Sequence, residues 1–310
     1  MTADQSRATA EEFILAIDFG GTKVALATCD REGTVLESAR FTFPPGSEAE
    51  EIVASAVERA SALVELTKLT RPAGCAAVGV SSPGIVLSDR ILLAPNVPGW
   101  QDLSLAKQLA SGLQIEPVVV GTDAKAAATA ELRWGSLVGQ QQAIYLNLGT
   151  GIAAALVVNG KVLFGANGAA GELAYNLVHA EAPWEGVNAG RAPLEEVVSG
   201  IAIGAHGSQL TGEEPSAQRI FELARTDPAA RALVHRALRY LATHVANLAI
   251  AIDPAVIAVG GGLMASADVI LPVLEEAVKA AVPFPPQILT ARFVHDAALR
   301  GAAALALDHR

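Results

Sequence analysis

The sequence predicts an α/β protein built as two lobes, and two observations carry that prediction. Strands alternate with helices along the chain, the pattern of a sheet with helices on its faces. A strand–glycine turn–strand unit near the start also reappears in the second half. The first copy is Ile14-Leu-Ala-Ile-Asp-Phe-Gly-Gly-Thr-Lys-Val-Ala-Leu-Ala-Thr28. The second is Ala143-Ile-Tyr-Leu-Asn-Leu-Gly-Thr-Gly-Ile-Ala-Ala-Ala-Leu-Val157. Two copies of one supersecondary unit suggest internal duplication.

The elements follow in order. Ile14–Ile17 reads as a strand delivering Asp18, Gly20-Gly21-Thr22 as a turn, and Val24–Thr28 as the second strand. After the turn at Arg31–Gly33, a third strand begins at Thr34. Apolar residues at helical spacing over Glu48–Leu66 (Ile52, Val53, Ala56, Val57, Ala60, Leu63, Val64) predict an amphipathic helix. Ala76–Val80 is a buried strand ending in Ser81-Ser-Pro-Gly84, and Ile91–Leu93 is extended before the rigid loop Ala94–Trp100. A helix over Leu105–Leu113, a strand over Pro117–Val120, and Gly121-Thr122-Asp123 opening an alanine-rich helix (Ala124–Trp134) complete this half.

In the second half Asn159-Gly160 is a strong hairpin signal, with a third strand expected over Lys161–Phe164. A helix start is expected over Leu194–Ile203, then helices over Ser216–Leu223 and Pro228–Ile252. Val256–Val259 runs into Gly260-Gly-Gly262 with a helix beyond, Ile288–Val294 is a last strand, and Leu299–Leu307 a closing helix. The domains expected are 12–122 together with the closing helix over 297–310, and 123–296.

With 310 residues, the chain is long enough for two substantial cores. At 51% apolar and 17% charged it is globular in composition. A net charge of −10 argues against non-specific nucleic-acid binding. No apolar run reaches membrane-spanning length and the polar start lacks a signal core, so a cytoplasmic protein is expected. The two cysteines, Cys29 and Cys75, read as small buried hydrophobes.

Glycine turns let the backbone approach a ligand and free N–H groups to face it. Here each is followed by a strand, unlike the Walker and Rossmann loops, which open a helix. A plain hairpin turn is the structural alternative for either copy alone. Two such turns facing one another could hold one polyphosphate between two lobes. That arrangement resembles the actin-like ATPase (ribonuclease H-like) fold, with the active site in the interdomain cleft.

The motifs then resemble the ROK family (repressors, open reading frames and kinases) over almost the whole chain, in particular its bacterial glucokinases and N-acetylhexosamine kinases. The residues that carry the likeness are Asp18-Phe-Gly-Gly-Thr22, Ser82-Pro-Gly84, Pro95-Asn96 with Trp100, Thr122-Asp123, Gly149-Thr-Gly151, Gly171-Glu172, Leu194-Glu195 with Ser199-Gly200, and Asp253-Pro254 before Gly260-Gly-Gly262. The resemblance implies ATP with Mg²⁺ and phosphoryl transfer to a sugar hydroxyl, usually the 6-hydroxyl. A small-molecule sugar partner and a homodimer are implied, with no nucleic-acid or membrane partner.

On that reading Asp123 is the general base; an N-cap is its structural alternative. Asp18 would face metal and phosphates, with Gly20, Gly21, Thr22, Lys23, Gly149, Thr150, Gly151, Gly261 and Gly262 on the nucleotide. Ordinary turn, strand or helix-start roles stand beside these. Gly84, Asn96, Thr122, Asp123, Glu172, Tyr175 and Glu195 would line the sugar; surface glutamates are the alternative for the last carboxylates, and Glu196 competes with Glu195.

Two departures from the family stand out. Relatives carry a histidine where Tyr175 stands, followed by a cysteine-rich zinc loop, whereas Glu185–Leu194 has no cysteine. No structural zinc is therefore expected; His179 alone makes no tetrahedral site, and Pro183, Trp184 and Pro193 are packing substitutes. Thr122 stands where relatives usually have asparagine. Losing a partner for a buried polar group costs about 1–3 kcal/mol, enough to change sugar preference by ~10- to 100-fold. A glucose analogue follows as the expected substrate: an amino sugar such as kanosamine, or a C7-cyclitol. A sugar-sensing repressor would need a DNA-binding segment of roughly sixty residues ahead of Ile14, and a non-enzymatic sensor would not need Asp18, Asp123 and both glycine–threonine turns.

Overall fold

The computed structural model describes residues 12–94, 97–179, 186–212, 215–294 and 296–309. Two compact units divide it. The first comprises the chain to Arg133 with Phe164–Ala169 and Asp296–Arg310; the second comprises Trp134–Leu163 and Ala170–His295. The helix Asp123–Trp134 falls in the first unit except for its last residue.

The first unit holds a five-stranded sheet in the order β3-β2-β1-β4-β7. Its strands are β1 (Phe13–Phe19), β2 (Lys23–Cys29), β3 (Val35–Thr42), β4 (Cys75–Ser82) and β7 (Val118–Thr122). The first three are antiparallel neighbours, while β4 and β7 run parallel to β1. A short hairpin, β5 (Ile85–Val86) with β6 (Ile91–Leu92), stands beyond β4. The helices are α1 (Ala49–Lys68), α2 (Leu105–Leu113), α3 (Asp123–Trp134) and α9 (Ala297–Asp308).

Strand alternation sorts the two faces of this sheet. Phe13, Leu15, Ile17, Val78 and Val80 pack with Ile52, Val53 and Leu63 of α1 and Leu109 of α2 in one core. The opposite face is made of small residues. A methyl group on Gly79 would lie 1.7 Å from the Ala302 carbonyl oxygen, and one on Gly121 would lie 2.8 Å from Leu305 Cδ1. Alanine-rich α9 therefore packs directly on β1, β4 and β7.

The second unit repeats the order: β10-β9-β8-β11-β12. Here β8 (Ala143–Leu148), β9 (Ile152–Val158) and β10 (Lys161–Val162) are antiparallel, and β11 (Val256–Gly260) and β12 (Gln287–Thr290) extend the sheet in parallel from β8. Its helices are α4 (Glu195–Val198), α5 (Gly200–Thr211), α6 (Ala217–Leu223), α7 (Pro228–Ile252) and α8 (Ala267–Ala281). They share one core with β8, β9 and β11 through Leu146, Ile220, Leu241, Val259 and Leu274.

Several boundaries differ from expectation for local reasons. The helix expected over Leu194–Ile203 is two helices, because Ser199 is extended (ψ 163°) and caps α5 through Oγ, which accepts from the Ala202 N–H at 3.1 Å. β10 stops at Val162 and β12 at Thr290, both edge strands. The turn after β11 is first a 3₁₀ helix, Gly262–Ser266. Among the described residues no helix is long and apolar enough to cross a membrane.

Candidate active site

In the first unit the parallel strands β1, β4 and β7 end together, and their carboxyl ends carry polar residues, the usual ligand position in such sheets. Asp18 is in register with Ser81 across β1 and β4, and Ser81 with Gly121 across β4 and β7. Asp123 follows on the first position of α3. The Asp18 carboxyl is pushed up to about 6, chiefly by burial and further by the negative charge of Asp123; Ser81, Lys23 and Arg40 pull it back down. The Ser81 hydroxyl is buried beside Asp18, with which it interacts, and has no other hydrogen-bond partner.

Asp123 is also pushed up by dehydration, against the pull of the Ala124 N–H and the buried Lys125. Its residue surface is nonetheless exposed, which describes a carboxylate hemmed in by protein but reachable by a ligand. The Ala124 N–H donates to its Oδ1 at 2.7 Å. The capping geometry belongs to its neighbour: the Lys125 N–H donates to Thr122 Oγ1 at 3.3 Å. Thr122 is buried, and its hydroxyl oxygen accepts this backbone bond.

The first glycine turn is closed by the Gly20 N–H donating to the Lys23 carbonyl at 2.9 Å. Gly21, Thr22 and Lys23 are exposed, and space around Gly21 is open. Trp100 buttresses this end of the sheet. Its ring meets Phe19 edge-on at 5.1 Å and its Nε1–H donates to Ser82 Oγ at 3.1 Å. Gly84 follows with φ +81°, where a methyl would lie 2.5 Å from the Leu92 carbonyl oxygen. Asn96 lies outside the described residues, as do Pro183 and Trp184.

In the second unit the matching turn is closed by the Gly149 N–H donating to the Gly151 carbonyl at 3.0 Å. The start of α5 grips it: the Gly200 N–H donates to the Gly149 carbonyl at 2.9 Å and the Ile201 N–H to the Thr150 carbonyl at 3.3 Å. Gly261 (φ +93°) runs so close to β8 that a methyl there would lie 2.3 Å from the Leu148 carbonyl oxygen. Gly149 and Gly262 are neighbours, 3.9 Å from built methyl to amide nitrogen. Glu195 reaches the same turn, with Oε2 accepting from the Ile152 N–H at 2.9 Å. Glu172 follows Gly171, whose carbonyl accepts from the Ala154 N–H of β9 at 2.9 Å. The Tyr175 phenol is raised by partial burial, then by the nearby charges of Glu195 and Glu172. Glu195 and Glu172 therefore lie within charge–charge range of Tyr175.

Glu196 is engaged elsewhere. It takes a forked ion pair from Arg191, with both oxygens 2.9 Å from Nε, and accepts from the Ala192 N–H at 3.0 Å. Arg191 is accordingly the main reason its carboxyl is lowered. This clasp holds the segment where relatives were expected to bind zinc, together with buried Pro193 and Leu194. Sequence reasoning missed Arg191 and the place of Ser81 beside Asp18, and named Ser199-Gly200 as a motif without the cap and turn contacts it makes. Only the last pair had a readable signal, a serine cap followed by a glycine.

Each unit thus carries the sheet of the actin-like ATPase fold with a glycine–threonine turn between its first two strands. The sequence matches the ROK family over residues 14–309, and the chain belongs to that family. It is 32% identical over 304 residues to an N-acetylmannosamine kinase of Escherichia coli O7:K1, covering 96% of this chain and 99% of the relative. A ROK hexokinase from Thermus thermophilus superposes with a TM-score of 0.80 at 28% identity, covering 96% of this chain and 98% of that one. A ROK glucokinase from Streptomyces griseus, solved with glucose and AMPPNP, gives 0.76 at 28% identity, covering 96% and 99%.

Proposed function

We propose that this ROK protein is a sugar kinase that transfers the γ-phosphoryl of ATP to the 6-hydroxyl of a hexose or hexose analogue, with Asp123 as general base. The observation that carries the assignment is the pair of dehydrated carboxylates at the strand ends, Asp18 and Asp123. A raised carboxyl is a better base near neutral pH. Asp123 takes the hydroxyl proton as the sugar oxygen attacks phosphorus and ADP leaves. In the first unit the Gly21 N–H and Thr22, and in the second the Thr150 and Gly151 N–H groups and the Thr150 hydroxyl, offer donors for phosphate oxygens, and Gly261 and Gly262 leave room for a nucleotide.

The residues present fit Mg²⁺. Asp18 carries a charge that burial and Asp123 disfavour, and Ser81 offers a buried hydroxyl oxygen beside it with no other partner. A cation there relieves the repulsion, and Mg²⁺ characteristically takes one or two protein carboxylates. When bound, it neutralises charge on the transferring phosphate.

Glu172, Glu195 and Tyr175 define the sugar preference. Two carboxylates close enough to raise one phenol favour a substrate with an ammonium group, so a free amino sugar such as kanosamine is the narrower assignment. N-acetylmannosamine is the second reading, favoured by the 32% identity with the E. coli kinase over nearly the whole chain.

The test is ADP release with Mg-ATP across glucose, mannose, N-acetylglucosamine, N-acetylmannosamine, kanosamine and a C7-cyclitol, with Asp123→Asn as the blank and a zinc chelator present. Turnover lost by about 10²–10⁴ in the blank is expected, with kanosamine preferred. A wide preference for glucose defeats the amino-sugar assignment. No turnover on any sugar while ATP still binds defeats the kinase.

A further inference from the structure

Helix α7 of the second unit carries a groove of about 440 Å³ lined by Ala232, His235, Arg236, Arg239, Tyr240 and Thr243. These positions recur at helical spacing and share one face. The chain is acidic overall, yet among the described residues the lining contains no carboxylate. Among the described residues the guanidinium groups of Arg236 and Arg239 make neither a hydrogen bond nor an ion pair. The contrast with Arg191, Arg225 and Arg300, each on a carboxylate, is direct.

Two unpaired guanidinium groups in one concavity repel each other and attract anions, more strongly than on an open surface. Thr243 adds no donor, because its hydroxyl already donates to the Arg239 carbonyl at 2.9 Å. The donors are the two guanidinium forks, the His235 ring and the Tyr240 hydroxyl. Forked guanidinium groups match phosphate oxygens two at a time, and the volume suits a small metabolite.

We propose that the Arg236–Arg239 groove is a second ligand site that binds a phosphate monoester, and none of its residues belongs to the site assigned above. One lining residue, Tyr240, reaches the segment that follows Glu172 and Tyr175, and His244 one turn further along α7 reaches it as well. The Tyr240 ring meets His179 edge-on at 6.1 Å, and His244 Nδ1 lies 3.3 Å from Asn176 Nδ2. An occupant therefore touches a side chain that packs on the sugar-binding segment.

Equilibrium dialysis of the full chain against inorganic phosphate, with the nucleotide site saturated by AMPPNP, tests this. The wild type is expected to bind one saturable equivalent, weakened at least tenfold in Arg236→Gln/Arg239→Gln and by added salt. Thr243→Glu keeps both arginines but places a carboxylate among them, and is expected to abolish binding too. Both variants should keep wild-type turnover, which certifies their folding. A hexose 6-phosphate that binds tighter than inorganic phosphate identifies a sugar phosphate as the occupant; equal affinities identify the free anion. No saturable binding, or equal binding by the wild type and the double variant, overturns the proposal. So does a change of oligomeric state in the double variant when the wild type binds no phosphate.

Discussion

Glu195 Oε2 accepts a hydrogen bond from the Ile152 N–H at 2.9 Å, which ties a carboxylate of the proposed sugar site to the strand leaving the second glycine turn. A methyl group on Gly151 would lie 2.4 Å from that same oxygen. Gly151→Ala should therefore displace Glu195 while leaving the backbone in place, since the atom it meets is the far end of a long side chain. The expected result is a sugar KM raised about tenfold, comparable to one lost charged hydrogen bond, with Tm within a degree or two. Steady-state kinetics and a thermal melt decide it; a large fall in Tm with unchanged KM would refute the geometry.

Gly79 makes the opposite case. Its built methyl meets backbone, 1.7 Å from the Ala302 carbonyl oxygen, so relief requires α9 to move off the sheet. Overpacking of this kind costs about 1–3 kcal/mol. Gly79→Ala should lower the urea midpoint by a corresponding amount without changing the sugar KM of the folded fraction. An unchanged midpoint would mean that α9 does not press on β4.

The glycines explain how much was readable. Apolar runs and glycine turns located β1, β2, β8, β9 and β11, because a buried strand and a tight turn each leave a local imprint. The choice between Glu195 and Glu196 left none. Their partners differ: Arg191 takes Glu196, and the Ile152 N–H, far off in sequence, takes Glu195. Ser81 was equally hidden: a serine after a buried strand becomes informative only when the parallel register places it beside Asp18. The break at Ser199 was missed because apolar periodicity continues across it.

The Arg191–Glu196 clasp predicts indifference to chelators. Zinc-dependent folding would stand on about 10–16 kcal/mol of metal binding, whereas this pair is partly exposed and contributes about 1 kcal/mol at most. Arg191→Met should lower stability by that small amount, and a strong zinc chelator should leave Tm unchanged. A chelator-induced fall of several degrees would count against the assignment of this segment.

Asp18 carries the sharpest prediction, because its raised pKa has a sign. In the unfolded chain its carboxyl titrates near 3.9; in the folded protein it titrates at about 6. Between those values the folded state holds a proton that the unfolded state has released. Stability is therefore greatest at the acid side of this window and falls as pH rises through about 4 to 6, after which Asp18 is charged in both states and contributes a constant penalty. The shift corresponds to about 1–3 kcal/mol. Asp18→Asn removes the penalty, so in nucleotide-free protein it should raise stability at pH 7.5 by about that amount and show little gain at pH 4.5. The same variant should lose turnover, because the neutral amide cannot balance a bound cation. Urea unfolding at the two pH values separates the alternatives: a variant less stable than wild type at pH 7.5 would show that Asp18 is held by favourable partners, and its proposed place opposite a cation would fall with that result.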